Sequence, residues 1–180
     1  MNNCQKECME MDTIKILVVS DSHGNNGNIR KAIELESPFD YLVHCGDVEG
    51  PRSVVAPEDA AFAVKVVRGN CDFGNNLPVE EVFKAGFFNV WVTHGDKYNV
   101  KYEEKLEQLK KAAIDRCADI VFFGHSHYAE IVNDKENGIL LVNPGSIGNP
   151  HTNAGKVTYA VVKVTEDYEI IPEIKELQFS

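Results

Sequence analysis

The sequence predicts an α/β (α+β) fold in which two packed, mixed β-sheets are flanked by helices. Short apolar runs of strand length recur along the chain, helix-like segments separate them in the first half, and hairpin signals dominate the second half. Two sheets with helices outside would bury both sets of apolar strands. The chain has 180 residues, which fits one domain with a substantial core. We expect residues 1–12 to form an N-terminal tail and residues 13–180 to form that single domain.

The first half alternates strand-like and helix-like segments. Residues 16–19, 41–45 and 64–67 are apolar runs typical of buried strands. Between the first two runs, Ile29, Ala32 and Ile33 predict a helix over about residues 27–36, which ends before Pro38. Residues 51–61 are compatible with a short helix. This order indicates strand–helix–strand units.

The second half contains three hairpin signals: Ala85-Gly86, Asn137-Gly138 and Glu166-Asp167 each separate two strand-like segments. We therefore expect this half to be mainly antiparallel. Residues 90–93 and 120–123 are two further apolar runs. Between them, the spacing of Tyr102, Leu106, Leu109 and Ala113 predicts a helix over about residues 100–116.

The composition argues against several classes of protein. A formal net charge of −10 and a pI near 5.0 disfavour general nucleic-acid binding, because the chain would repel a phosphate backbone. No apolar run approaches the ~20 residues that cross a bilayer, and the N-terminus lacks the apolar stretch of a secretory signal. We expect a cytoplasmic protein that does not bind membranes. The five cysteines are expected to be thiols there, and Cys4 and Cys8 alone make a poor zinc site.

Five of the apolar runs stop at residues that can bind a metal ion. In an open α/β sheet, ligands collect outside the carboxyl ends of the strands. The stretch of chain between one such strand end and the next is long enough for one strand plus a return segment. The seven candidate ligands, in chain order, are Asp21, His23, Asp47, Asn70, His94, His125 and His127.

Imidazole and oxygen donors without thiolate suit manganese, iron, zinc or nickel better than calcium or magnesium. Seven ligands are too many for one tetrahedral ion and about right for two ions that share Asp47. Any one of these residues alone is more often a cap or a surface residue. His44, which lies inside a strand-like run, is expected to be a core residue or a neighbour of the ligands.

Together these motifs resemble those of the calcineurin-like metallophosphoesterases. The resemblance spans residues 16–148, and two of its motifs, Gly69-Asn70-Cys71-Asp72 and Asn143-Pro144-Gly145-Ser146, are similar to the small bacterial and archaeal phosphodiesterase branch. It is carried by Asp21-x-His23, Gly46-Asp47, Gly69-Asn70-Cys71-Asp72, Thr93-His94-Gly95, Gly124-His125-Ser126-His127 and Asn143-Pro144-Gly145-Ser146.

The resemblance implies a four-layer sandwich with a dimetal centre between the sheet edges. It puts Asp21, His23, Asp47 and His127 on one divalent ion, and Asp47, Asn70, His94 and His125 on the other. It implies hydrolysis of a small phosphate ester by a hydroxide that bridges two cations, manganese first, with iron, nickel or zinc as alternatives. Asp47 and Asn70 are the expected catalytic residues, because Asn70 can also donate its amide N–H to the phosphate.

The sequence departs from related proteins at two of the expected substrate-binding positions. Cys71 stands where many relatives have a histidine that can serve the leaving group, and a thiol with a reference pKa of about 8.5 is a weaker general acid. We therefore expect diesters with stable leaving groups to be favoured, although Cys71 is equally well explained as a small buried residue.

The second departure follows Asn143 and Ser146, the other expected substrate contacts. Several relatives have a Pro-Arg pair after this motif, whereas this chain continues to His151. His151 is either a weak substitute for the arginine or an exposed loop residue.

Two alternatives to a phosphodiesterase remain. One is a protein-interaction scaffold of the same fold, like the corresponding retromer subunit, and the other is a phosphomonoesterase. A homo-oligomer is compatible with Phe87, Phe88 and Trp91 near an edge hairpin, although core packing explains them better. The sequence carries no code for the physiological ester.

Overall fold

Ten strands form two five-stranded sheets in the computed structural model, which describes residues 13–74, 76–148 and 155–178. The expected tail and His151 lie outside the described residues. The strands are β1 (Ile14–Val19), β2 (Tyr41–His44), β3 (Ala63–Val66), β4 (Glu80–Ala85), β5 (Phe88–Thr93), β6 (Ile120–Phe122), β7 (Ala129–Asp134), β8 (Ile139–Pro144), β9 (Thr158–Val164) and β10 (Ile170–Glu176).

The first sheet has the order β10-β9-β1-β2-β3. β1, β2 and β3 are parallel, whereas β9 runs antiparallel to β1 and forms a hairpin with β10. The carboxyl ends of the three parallel strands therefore meet at one edge, as the sequence predicts.

The second sheet has the order β4-β5-β6-β8-β7. The hairpins β4–β5 and β7–β8 are present, but β5, β6 and β8 are parallel to one another. The expectation of a mainly antiparallel second half is thus only partly correct. A helix connects β5 to β6, and β7 returns antiparallel, so that β8 enters the sheet in the direction of β6.

The sheets pack face to face, because alternate residues of a strand point to opposite sides. Ile16 and Val18 of β1 join the core cluster between the sheets, together with Val92 of β5. Leu17 and Val19 point the other way and pack with the first helix. The second helix covers the outer face of the second sheet, including Trp91. This arrangement confirms two mixed sheets flanked by helices.

The helices are α1 (Asn26–Glu36) and α2 (Glu107–Asp115), with short 3-10 helices at Arg52–Val54 and Asp96–Tyr98. α1 agrees with the sequence prediction, but α2 begins later than residue 100. Asn99 and Leu106 adopt left-handed conformations with φ of 56° and 54°, which interrupts a continuous helix. Leu106 still points inward and is buried. In the described part of the chain, no helix has the length and apolar character needed to cross a membrane.

Candidate metal centre

Five loops meet at one edge of the molecule, where the parallel strands of both sheets have their carboxyl ends. They are the loops after β1, β2, β3, β5 and β6. Backbone hydrogen bonds tie the loops together: Asp21 N–H donates to Gly46 O (3.0 Å), and His23 N–H donates to Asp47 O (3.0 Å). The second sheet is tied internally in the same way, because Gly124 N–H donates to His94 O at 3.0 Å. These bonds therefore hold the β1 loop to the β2 loop and the β5 loop to the β6 loop.

A first group of donors consists of Asp21, His23, Asp47 and His127, whose ligand atoms all lie within 4.8 Å of one another. The Nε2 atoms of His23 and His127 are 3.4 Å apart. His127 Nε2 is also 3.1 Å from Asp21 Oδ1. These atoms converge on a common point, as ligands of one ion would.

The carboxylate of Asp21 shows that a cation fits this point. Its Oδ2 accepts hydrogen bonds from Ser20 Oγ and from the His125 N–H (3.2 Å). Its Oδ1 is buried and, despite its proximity to His127, has no hydrogen-bond partner among the described residues. A buried carboxylate oxygen without a partner is costly, and a bound cation would remove that cost.

A second group surrounds His94. Its Nδ1 lies 2.8 Å from the carbonyl oxygen of Cys45, which fixes a proton on Nδ1. Its Nε2 faces Asn70 Oδ1 at 3.0 Å, and its ring lies 5.0 Å from that of His125, centroid to centroid. Burial by itself would lower the pKa of His94, but the interaction with Asp47 and the charge of Asp21 raise the pKa to about 9. The acidic surroundings thus favour a positive charge here.

Asp47 lies between the two groups. Its Oδ1 accepts a hydrogen bond from the Cys71 N–H at 2.7 Å, which fixes the orientation of the carboxylate. Its Oδ2 is 3.5 Å from His94 Nε2 and 3.9 Å from His23 Nε2. Burial by itself would raise the pKa of Asp47, but the interaction with His94 and the Cys71 N–H hold it well below the usual range. This carboxylate is placed to serve both groups.

The backbone at the site adopts a conformation that non-glycine residues seldom adopt. Five of the seven candidate ligands have φ between 44° and 66°: Asp21, His23, Asp47, His125 and His127. Each such residue costs on the order of 1 kcal/mol, and such conformations gather at functional sites. A Cβ built on Gly46 would lie 2.7 Å from His94 Nδ1, so a glycine is needed there for the close approach of two loops.

Two carboxylates support the candidate ligands in a way that the sequence did not indicate, although Asp72 stands in one of the motifs that carry the resemblance. Glu49 Oε1 lies 2.7 Å from His23 Nδ1, and Asp72 accepts N–H groups from Glu49 (2.7 Å) and Gly69 (2.9 Å). Carboxylates that bind the second ring nitrogen of a metal-binding histidine are a recurrent feature of metal sites. The only signal in the sequence is their closeness to Asp47 and Asn70.

His44 is buried inside β2, as the sequence predicts. Its Nδ1 accepts a hydrogen bond from the Gly46 N–H (3.2 Å), and its Nε2 lies 3.0 Å from Ser22 Oγ. Burial lowers the pKa of His44 to about 4, which keeps the ring neutral at physiological pH. It therefore braces the loops that carry Asp21 and Asp47.

Three of the four expected substrate contacts lie in or beside the site. Cys71 is half-buried; burial and the neighbouring Asp47 raise the pKa of its thiol to about 12. Asn143 is fully buried and donates to Gly124 O (3.0 Å) and Ser126 Oγ (2.9 Å), and Ser146 Oγ donates to Asp21 O (2.8 Å). These bonds brace the ligand loops, and direct substrate contact by these residues stays a prediction. His151 lies outside the described residues.

The sequence matches a known family over most of its length. A profile of the calcineurin-like phosphoesterase superfamily domain matches residues 14–167. The chain is 34% identical over 155 residues to a probable metallophosphoesterase of Bacillus subtilis, covering 86% of each protein. It is 29% identical over 149 residues to a phosphodiesterase of Methanocaldococcus jannaschii, covering 73% of this chain and 83% of that protein.

Two solved structures extend the likeness to the fold. A phosphoesterase-like protein of Streptococcus pneumoniae has 26% identity and a TM-score of 0.70, and the match covers 93% of this chain and 99% of that one. Vacuolar protein sorting 29 of Cryptosporidium parvum has 17% identity and a TM-score of 0.71 with the same coverage. At that identity the second likeness concerns the fold alone.

Proposed function

Because the chain belongs to the calcineurin-like phosphoesterase superfamily, we propose that it is a metal-dependent phosphodiesterase that hydrolyses small phosphate esters. The observation that carries the proposal is the position of Asp47. One of its oxygens is fixed by a backbone N–H, and the other lies between His23 and His94, each from a different group of donors. Such a carboxylate can join two cations into one centre.

We assign one divalent cation to Asp21, His23, Asp47 and His127, and a second to Asp47, Asn70, His94 and His125. The mixture of imidazole and oxygen donors favours manganese, with iron, nickel and zinc as alternatives. When bound, two such cations supply Lewis-acid chemistry, in that they make water more acidic and offset the negative charge that develops on a phosphoryl group.

Asn70 is the protein group best placed to contact the substrate. Its side chain is exposed, its Oδ1 faces His94 at 3.0 Å, and its Nδ2 lies 3.3 Å from Cys71 Sγ. The thiol is a weak acceptor, so the amide N–H can turn to a phosphoryl oxygen. In the proposed reaction, Asn70 orients the phosphate.

The thiol of Cys71 supports a preference for diesters. With a pKa of about 12 it releases its proton poorly at neutral pH. Cys71 is therefore a poor general acid for the leaving alcohol. Esters whose alcohol leaves as a stable anion need no such acid and should react best. We expect Cys71→His to raise the rate with monoesters relative to diesters, and Cys71→Ser to leave the ratio near that of the wild type. An unchanged ratio in Cys71→His would refute the leaving-group argument.

The scaffold alternative is less well supported. A scaffold function requires no metal ligands, whereas all seven ligand positions of this chain hold residues able to bind a metal. A phosphomonoesterase remains an outcome of the assay below.

The decisive experiment combines metal analysis with hydrolysis. Purified protein is analysed for bound metals and assayed with bis- and mono-nitrophenyl phosphates in the presence of manganese, nickel, zinc or magnesium. We expect two metal ions per chain and faster cleavage of the diester. Asp47→Ala and His125→Ala should lose most activity, at least about 100-fold, because each removes a ligand.

Asp167→Ala, an exposed carboxylate in the β9–β10 turn, is the matched control and should behave as the wild type. Absence of both bound metal and activity would overturn the enzyme proposal. Activity that survives Asp47→Ala would overturn the assigned centre, and faster monoester cleavage would replace the diesterase by a monoesterase.

A further inference from the structure

A cavity of about 270 Å³ opens beside the proposed metal centre. Asn70 forms part of its wall, and so do Asp96 and Lys97, which follow His94 along the chain. A molecule in this cavity would therefore touch a residue that we assign to the second cation. The volume is near the lower end of small-molecule sites, so the cavity suits one ring system with its substituents rather than a polymer.

Phe73 is the most exposed large apolar side chain of the described residues, at 88%, and it lines this cavity. A single exposed phenylalanine is ordinary on a protein surface. Phe73 is of interest because it lines the same cavity as Asn70. The turn that carries it is fixed, because Phe73 N–H donates to Cys71 O (3.0 Å) and the buried Asp72 carboxylate accepts two backbone N–H groups. Phe73 thus extends from a fixed turn that lines the cavity, three residues after Asn70.

Two cationic side chains, Arg68 and Lys97, line the same cavity. Within the described part of the chain neither forms an ion pair or a side-chain hydrogen bond, in contrast to Lys65 and Arg116, which pair with glutamates. Unpaired cations are unexpected in a chain with 28 acidic and 18 basic residues. They are free to bind an anion, although two carboxylates, those of Asp72 and Asp96, also line the cavity.

We propose that this cavity binds the organic arm of the substrate, and that this arm is a planar aromatic group carrying further negative charge, as in a nucleotide with a second phosphate. The ring stacks on Phe73, the second phosphate binds Arg68 and Lys97, and Asp96 accepts an N–H of the base. The proposal rests on the proposed phosphoesterase function, because it puts the scissile phosphate beside Asn70.

The test compares ligands that differ in one part only. Calorimetry with manganese-loaded, desalted protein gives the dissociation constants of inorganic phosphate, methyl phosphate, AMP and ADP. We expect AMP to bind about tenfold more tightly than methyl phosphate, the size of a base–aromatic stacking effect. ADP should bind more tightly than AMP.

Substitutions then show which residue is responsible for each increase in affinity. Phe73→Ala should remove the advantage of AMP over methyl phosphate and leave methyl phosphate binding unchanged. Lys97→Ala and Arg68→Ala should each remove part of the gain of ADP over AMP. Phe87→Ala is the control, since Phe87 is also exposed but precedes β5 at the end of that strand opposite His94.

The outcomes separate this proposal from the proposed function. A protein that cleaves the diester but binds AMP no better than methyl phosphate overturns the aromatic pocket and leaves the phosphodiesterase in place. A protein without metal or activity contradicts the phosphodiesterase. In that case, AMP binding that disappears in Phe73→Ala still supports the pocket, and failure to bind AMP overturns it.

Discussion

At the scale of single residues, Glu49 shows how the candidate centre is held in shape. Its carboxylate lies 2.7 Å from Nδ1 of His23, so the ring carries its proton there and turns Nε2 toward His127 and Asp47. Asp72 in turn holds the backbone of Glu49, because its Oδ1 accepts a hydrogen bond from the Glu49 N–H at 2.7 Å. Glu49 is therefore a positioning residue, which acts on the proposed metal through His23.

Removal of this carboxylate should weaken metal binding without unfolding the protein. We expect Glu49→Ala to raise the dissociation constant for manganese about 10- to 100-fold, the usual effect of losing such a partner. Glu49→Gln keeps an acceptor for the Nδ1 proton and should recover part of the affinity. Metal titration by calorimetry measures both, with the exposed Glu58→Ala as control. Equal affinities in all four proteins would contradict the positioning role.

At the scale of elements, Glu36 joins the end of α1 to three strands of the first sheet. Its carboxylate accepts hydrogen bonds from Lys175 Nζ and Tyr159 Oη, both at 2.9 Å, and lies 3.0 Å from Lys15 Nζ. Burial by itself would raise the pKa of Glu36, but Lys175, Lys15 and Tyr159 hold it below its ordinary value. The ionised form therefore stabilises the packing of α1.

This lowered pKa fixes the direction of a pH effect. The stabilisation is complete above the ordinary glutamate pKa of about 4.3 and is lost as the pH falls through the lower pKa of the folded state. Glu36→Gln should reduce the free energy of unfolding by about 1–3 kcal/mol at pH 7, with a smaller deficit near pH 3.5. Urea unfolding at both pH values measures this.

Glu34→Gln, on the exposed face of the same helix, serves as the control and should change the free energy of unfolding by less than about 0.5 kcal/mol. A deficit for Glu36→Gln that is the same at both pH values would show that the charge of Glu36 contributes nothing.

At the scale of the whole molecule, the candidate ligands come from both sheets. Asp21, His23, Asp47 and Asn70 follow strands of the first sheet, whereas His94, His125 and His127 follow strands of the second. Cations bound by both sets would hold the two sheet edges together. Metal binding should therefore stabilise the fold as a unit.

Thermal unfolding tests this coupling. With manganese at 100 times its dissociation constant, binding adds about 2.7 kcal/mol to the free energy of unfolding. For a chain of this length, that raises Tm on the order of 5–10 °C above that of chelator-treated protein. Asp47→Ala should show no such rise, and Asp167→Ala should show all of it. A wild-type Tm that does not respond to manganese, nickel or zinc would contradict a centre shared by the two sheets.

The amino-acid sequence by itself determined which residues could bind metal and where each strand stops. That information is local: apolar runs, glycines and the ligand residues lie next to one another along the chain, and parallel strands must end at the same edge. The ligand candidates, helix α1 and the two-sheet architecture could therefore be inferred without coordinates. The end of helix α2 was predicted to within one residue, but its start was placed too early, because Leu106 fits the apolar spacing of a helix and yet adopts a left-handed conformation.

Only the tertiary structure decided how distant segments meet. It joined β9 and β10 to the first sheet, aligned β8 with β6, and brought Glu49 and Asp72 to the ligands. It also gathered Arg68, Phe73 and Lys97 around one cavity. None of these contacts leaves a periodic or spaced signal, because hydrogen bonds, charge pairing and packing between loops depend on distances that a linear sequence does not encode.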